Sequence, residues 1–453
     1  MSTNAKLFLT LIFIALFGLL LRLNNYDRTP PFGETMDEFI YPWAGMSLIE
    51  TGTPATWSPF AAYSQKYTLK LWGEFFPIVS PYVEKPLLYP LLSGAFMLAT
   101  GARDFADVRL AVLRILPIIF SVISILLIGL IATAWLNPAF TILASLLYAT
   151  IPTIVLSNRL SLTENLLIPL TLGTLFIFTK WQKSRNWKLI HLLGIGCGLA
   201  LLTKQSGLAL PLTLLILFIK EKNWKAFTIL GIYSFLFGIL HPMIAFVYDW
   251  NLYVSVTEEL RRAHALGLPE TIYTLFRIPG IGHKESIFLD GFMLAGWILL
   301  IAIPFRKETP RLFSFMLFPY IYLITLVLGE GGTTWYGWHL FPLYPFLVII
   351  LTYTIYELWQ SQNFFQFLFF FMILGSSSLR FLMLIHPALI RQWQMPMVIS
   401  LVISLLFWFI YSGKMRKLFM ICALVLFIVI NIYTVLNLSE IYPTKAQPVS
   451  LVQ

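Results

Sequence analysis

Charge is scarce in this chain. Only 11% of its 453 residues are charged, and 21 Asp and Glu stand against 31 Lys and Arg. So little charge beside 58% hydrophobic residues excludes a disordered or heavily solvated chain, which needs the opposite balance. Cysteine is scarcer: Cys197 and Cys422 both lie inside apolar runs, which excludes a disulfide framework and a Cys-rich metal site. The weak alternating pattern of an outer-membrane barrel is absent. Beyond the first apolar run, Leu7 to Leu21, the chain reads Arg22-Leu23-Asn24-Asn25-Tyr26 with no small-residue cleavage site. The run is therefore expected to persist as a helix and not to leave as a signal peptide.

What is present is apolar sequence, repeatedly. A mean hydropathy of +0.80 with long apolar runs almost to the C-terminus predicts an all-α, polytopic integral membrane protein, because helices satisfy their own backbone hydrogen bonds in lipid. About thirteen spans are expected, near 7–23, 112–134, 138–157, 164–180, 189–203, 206–220, 226–247, 287–305, 312–328, 341–358, 364–384, 394–412 and 418–437. The 39 Phe, 20 Tyr and 14 Trp suit lipid-facing surfaces and interfacial belts, so they do not argue for a stacking platform. The net charge of +10 has an equally simple source in loops facing anionic headgroups, and nucleic acid is not implied.

Four basic clusters set the orientation: Lys180, Lys183, Arg185 and Lys188; Lys220, Lys222 and Lys225; Arg306, Lys307 and Arg311; Lys414, Arg416 and Lys417. The positive-inside rule places all four on the cytoplasmic side. They share a side with the N-terminus only if the short apolar stretch from Pro86 to Thr100 does not cross. Residues 24–111 then form one long outer segment with helices along the membrane surface, one starting near Asp37 and another over 86–100. That segment holds the paired carboxylates of Glu34-Thr35-Met36-Asp37-Glu38-Phe39-Ile40-Tyr41. The same outer face receives Ser157 to Asn165, Thr203-Lys204-Gln205-Ser206-Gly207, a loop over 248–286 and the stretch Glu330 to His339. Ionised groups held close to a bilayer are costly, so acids and bases gathered at one surface point to chemistry there. They match what transfer of a group from a lipid-linked phosphate requires: a carboxylate to take a proton from an acceptor hydroxyl, and cations to hold the departing phosphate.

Four blocks carry a resemblance: Asp37-Glu38-Phe39-Ile40-Tyr41, Glu84-Lys85-Pro86-Leu87-Leu88-Tyr89, Ser157 to Asn165, and Gly198-Leu199-Ala200-Leu201-Leu202-Thr203-Lys204. In this order they resemble the protein O-mannosyltransferase and aminoarabinose-transferase group of GT-C glycosyltransferases. The resemblance implies an inverting membrane enzyme that uses a polyprenyl- or dolichyl-phosphate sugar and an acceptor hydroxyl on protein, lipid or glycan. By that likeness Asp37 is the catalytic base, with Glu38 beside it, Lys85 meets the lipid phosphate with Glu84 adjacent, and Glu164 is a second acid. Residues 1–240 would form the catalytic module and 241–453 the C-terminal helices. A bacterial inner membrane with the site on the periplasmic face is the expected location.

Each assignment has a plainer alternative. Asp37 and Glu38 can simply favour the N-terminus of a helix, and Glu164 can do the same for the fourth span. Lys85 can snorkel to headgroups. Arg159 and Lys204 can bind phosphate or anchor helices. Arg261 and Arg262 offer forked donors but no motif marks them. His339 stands where the family usually has Arg or Tyr, which leaves donor gating there open. No metal is favoured, because His264, His283 and Glu84 have no ligand spacing, although relatives make a divalent ion possible. The rival readings are a GT-C enzyme acting on lipid or polysaccharide and a lipid or sugar transporter. No internal repeat supports the transporter.

Overall fold

The computed structural model describes residues 3–263, 290–305, 310–330, 337–389 and 413–441, with isolated positions between 395 and 410. Apolar sequence becomes helix almost throughout. Six described helices are long and apolar enough to cross a membrane: Asn4–Leu23, Leu110–Ala132, Trp224–Leu260, Gly337–Ser361, Phe364–Ile385 and Lys414–Leu436. Shorter apolar helices occupy other expected positions, such as Pro138–Thr150, Gln205–Lys220 and Gly291–Phe305. The expected span at 394–412 falls largely outside the described residues.

The helices that position the site are α1 (Thr3–Leu23), α2 (Asp37–Thr51), α3 (Leu88–Ala99), α4 (Leu110–Leu113), α5 (Ile115–Ala132), α6 (Pro138–Thr150), α7 (Pro152–Ser157), α8 (Thr163–Ser184), α9 (Trp187–Thr203), α10 (Ala209–Lys220), α11 (Trp224–Gly238) and α12 (Leu240–Ala263). Helix α1 packs on α5 and α6, α5 on α8, α8 on α9, and α9 on α11. Pro152 breaks the third expected span. Helix α6 stops at Thr150 and α7 begins one residue beyond Ile151, with proline at its first position, where no amide is needed.

Residues 24–111 are folded, and both of the helices expected there are present. They cross at Gly45 and Gly94 with their backbones nearly touching: a Cβ at Gly45 would lie 1.8 Å from the Pro90 carbonyl oxygen, and one at Gly94 2.4 Å from the Gly45 carbonyl carbon. Backbone cannot step aside as a side-chain tip can. Gly45→Ala is therefore expected to cost about 3 kcal/mol or more by overpacking. Thermal unfolding in detergent checks this, and an unchanged midpoint would contradict the crossing.

Between the two helices the segment also forms a small sheet: β1 (Thr56–Trp57), β2 (Tyr67–Leu71) and β3 (Glu74–Val79) pair antiparallel in the order β1-β3-β2. Strands β2 and β3 are joined by Trp72 and Gly73 alone, both at positive φ (52° and 86°), the twist that a two-residue hairpin requires. Some tryptophans are core residues. Trp43 is fully buried, stacks on Phe105 at 4.9 Å and donates its indole N–H to the Phe105 carbonyl at 3.1 Å. With Phe39, Trp72 and Phe76 it forms an aromatic core between α2 and the sheet.

Candidate functional site

Helix α2 begins at Asp37, and its first turn holds both acids. The preceding Met36 offers no side-chain cap. The two carboxylates diverge from there. Asp37 Oδ2 lies 3.8 Å from Lys85 Nζ, and both side chains keep between a fifth and a quarter of their surface open. Lys85 also sits 5.9 Å from the centre of the Tyr41 ring, one turn along α2.

Glu38 points the other way, into the protein. Arg114 donates to it from Nε at 3.0 Å and from Nη2 at 2.7 Å, and the Ser161 amide donates at 2.9 Å. Glu38 is 2% exposed and Arg114 not at all. Glu38, which the sequence sets beside Asp37 among the candidate catalytic acids, has its carboxylate committed to Arg114 and Ser161 and supports the start of α2. The remaining Arg114 donor meets the carbonyls of Tyr26 and Pro30, so one guanidinium ties the end of α1, the start of α2 and the start of α5.

The Ser157-to-Asn165 block closes the frame. Asn165 donates to the carbonyls of Ser157 and Leu160, while Asn158 accepts from the buried Arg22 at 2.8 Å. Ser161 Oγ meets the Tyr89 hydroxyl at 2.8 Å. Arg159 is fully buried and donates to the carbonyls of Thr29 and Leu21, each at 3.0 Å. It anchors the connection after α1, which removes it as a phosphate ligand.

A second charged pair stands behind the first. Glu164, in the first turn of α8, binds Lys204 at 2.5 Å through one oxygen and accepts from Thr163 at 3.0 Å through the other. Each oxygen thus already has a donor, and the short contact fixes the Lys204 ammonium beside Glu164. His339 lies within the electric field of Glu164, and Tyr41 within those of Asp37, Glu164 and Lys204. The His339 carbonyl accepts from the Tyr322 hydroxyl at 2.9 Å, and Ser206 reaches that hydroxyl at 3.4 Å. Thus Asp37, Lys85, Glu164, Lys204 and His339 form one connected set.

Glu84 borders that set. Its backbone carbonyl accepts from Gln205 at 3.0 Å, while its carboxyl is buried and one oxygen, Oε1, has no hydrogen-bond partner. Burial pushes this carboxyl up to about 7, and the Ser58 hydroxyl and Lys85 oppose the shift. A folded-state value raised from 4.5 penalises the ionised form. The stability it permits is complete below about pH 4.5 and falls as pH rises towards 7. Glu84→Gln is expected to flatten that part of the dependence of the unfolding midpoint on pH. An identical slope in both proteins would contradict the burial.

Arg261 and Arg262 occupy the last turn of α12, and their side chains lie outside the described residues, as do His264 and His283. One turn earlier, Glu259 accepts the amides of Ala61 and Ala62 at 2.9 and 2.7 Å, which fixes this end of α12 against the connection between β1 and β2. Among the described residues no three His, Cys, Asp or Glu side chains gather as a metal cage. A cleft of about 470 Å³ opens at the opposite end of α2, between Glu50, Tyr67 and Arg103, roughly 20 Å along the helix from Asp37. It therefore lies apart from the charged set.

Residues 85–250 match the family model described as dolichyl-phosphate-mannose-protein mannosyltransferase. The match takes in Lys85, Arg159, Glu164 and Lys204 and begins after Asp37. The whole chain resembles solved enzymes. One is the oligosaccharyltransferase AglB of Archaeoglobus fulgidus in complex with an inhibitory peptide and a dolichol-phosphate, with TM-score 0.54 and 13% identity over 99% of this chain and 57% of that one. The other is ArnT of Cupriavidus metallidurans bound to undecaprenyl phosphate, with TM-score 0.51 and 14% identity over 97% and 78%. The fold is GT-C. The chain spans a little over half the length of the archaeal enzyme, and no curated protein sequence matches it. Within the GT-C fold the missed residues are now visible: Arg114 and Arg22, lone cations at the edges of apolar runs, and Tyr41, which closes the Asp37 block.

Proposed function

We propose that this chain is an inverting glycosyltransferase that moves a sugar from a polyprenyl-phosphate donor to an acceptor hydroxyl at the outer membrane surface. The observation that carries the reading is the partly open Asp37–Lys85 pair, held at the end of α2 by the buried Glu38–Arg114 pair. Asp37 takes the proton of the acceptor hydroxyl as its oxygen bonds to the sugar C1. The bond from C1 to the phosphate oxygen breaks, its electrons stay with the polyprenyl phosphate, and the anomeric centre inverts. Lys85 meets the charge that develops on the phosphate, with Lys204 and His339 deeper in the same field. Residues 1–240 carry this chemistry, and the turn bearing His339 brings the C-terminal helices to its edge.

The donor class is supported by the family match, whose described donor is a dolichyl-phosphate sugar, and by the polyprenyl phosphates in both structural neighbours. An acceptor on protein, on lipid or on a glycan is compatible with the charged set, and a bacterial inner membrane with a periplasmic site is the favoured setting. Lys85→Ala is expected to raise the KM for the lipid-linked sugar by about tenfold to a hundredfold, the value of a charge-assisted contact. Initial rates against donor concentration check this, and an unchanged KM would remove Lys85 from the phosphate.

A further inference from the structure

We propose that the membrane surface opposite Asp37 carries a binding site for an anionic phospholipid headgroup, built by the connections between α8 and α9 and between α10 and α11. Helix α8 starts at the charged set and ends at Ser184. Its 22 residues span about 33 Å, roughly the thickness of a hydrocarbon core. Helix α9 returns from Trp187 to Lys204, and α10 leaves again from beside Ser206 to end at Lys220. Both connections therefore lie at the far surface.

All seven cations of the first two basic clusters are exposed there, and Glu221 is the one carboxylate paired with any of them among the described residues. Topology alone needs only the charges, but here they are tied into a shared structure. Arg185 stacks 4.5 Å over Trp181 and crosses to Glu221 at 2.5 Å, where Gln182 also donates at 2.9 Å. Lys225 crosses back to sit 4.4 Å over Trp187. The two connections are thereby locked side by side, with Lys183, Lys188 and Lys222 around them, none paired with a described carboxylate.

A lipid fits this surface better than a soluble anion. Trp187 and Trp224 stand exposed beside the cations, as interfacial aromatics do. Leu192 and Ile195 on α9 and Ile216 on α10 are exposed one or two turns inward, where acyl chains would lie below a bound phosphate. The site stands independently of the transfer reaction.

The test is thermal unfolding of the full-length protein in neutral detergent, titrated separately with cardiolipin, phosphatidylcholine and pyrophosphate. Cardiolipin is expected to raise the midpoint by several degrees, with no rise from the other two and loss of the effect in 0.5 M salt. The triple variant Lys183→Gln, Lys188→Gln, Lys222→Gln should keep its lipid-free midpoint and bind cardiolipin on the order of a hundredfold more weakly. Lys70→Gln on the outer sheet should bind it unchanged. An equal rise with phosphatidylcholine, a rise with pyrophosphate alone, or full binding by the triple variant would overturn the proposal. If that variant does not fold, salt-insensitive cardiolipin binding by the unaltered protein would overturn it equally.

Discussion

Asp37→Asn is expected to lower the turnover of sugar transfer by about three orders of magnitude, the upper part of what a general base contributes. The amide keeps the shape of the carboxylate and cannot accept the proton. Little stability should be lost, because the Asp37–Lys85 pair is partly open, spans 3.8 Å and so contributes at most about 1 kcal/mol. The informative result is therefore a separation: near-normal expression, unfolding midpoint and donor KM beside a collapsed kcat. Retained turnover would remove Asp37 from the chemistry. A collapsed midpoint would reassign it to the frame.

Arg114→Met is expected to produce the reverse pattern. Glu38 would remain in a closed site with a charge that water cannot reach, a loss of about 3–5 kcal/mol. Replacing both members, Arg114→Met with Glu38→Gln, should cost less than the single arginine change, because no uncompensated carboxylate remains. Arg114→Lys should rescue poorly, since a single ammonium cannot reproduce the two-pronged contact with Glu38 or the bonds to Tyr26 and Pro30. Unfolding midpoints of the unaltered protein, of Arg114→Met, of Glu38→Gln and of the double change measure the coupling. Additive effects would show that the pair does not act as a unit. Transfer should fall with stability in this series, because the same contacts fix the start of α2.

The two carboxylates also show how far the sequence can be read. Their rarity in an apolar chain marks Asp37 and Glu38 as consequential, and the short apolar stretch read as non-crossing puts them in a long connecting segment whose helices do begin at Asp37 and Leu88. The resemblance pairs Asp37 with Lys85. What distinguishes the two acids is a partner 76 residues away: Arg114 stands at the head of an apolar run, where a lone cation reads as an interfacial anchor. Periodicity reports the face of a helix and is silent on long-range pairing. Arg159 misleads for the same reason, because its targets are backbone carbonyls, which leave no mark in side-chain identities. The sheet did leave a local trace in the alternation of Tyr67-Thr68-Leu69-Lys70-Leu71 before Trp72-Gly73. Surrounded by helical runs, that trace is short.

The central claim is bond cleavage at the sugar C1 by displacement. Its most direct measurement incubates purified protein and Asp37→Asn with an isotopically labelled polyprenyl-phosphate sugar and membrane extract as acceptor, following lipid release and the configuration of the new linkage. The account predicts one free polyprenyl phosphate per sugar transferred, an inverted anomeric centre, and neither product with Asp37→Asn. Labelled sugar carried intact across proteoliposomes without cleavage, or a product of retained configuration, would contradict it.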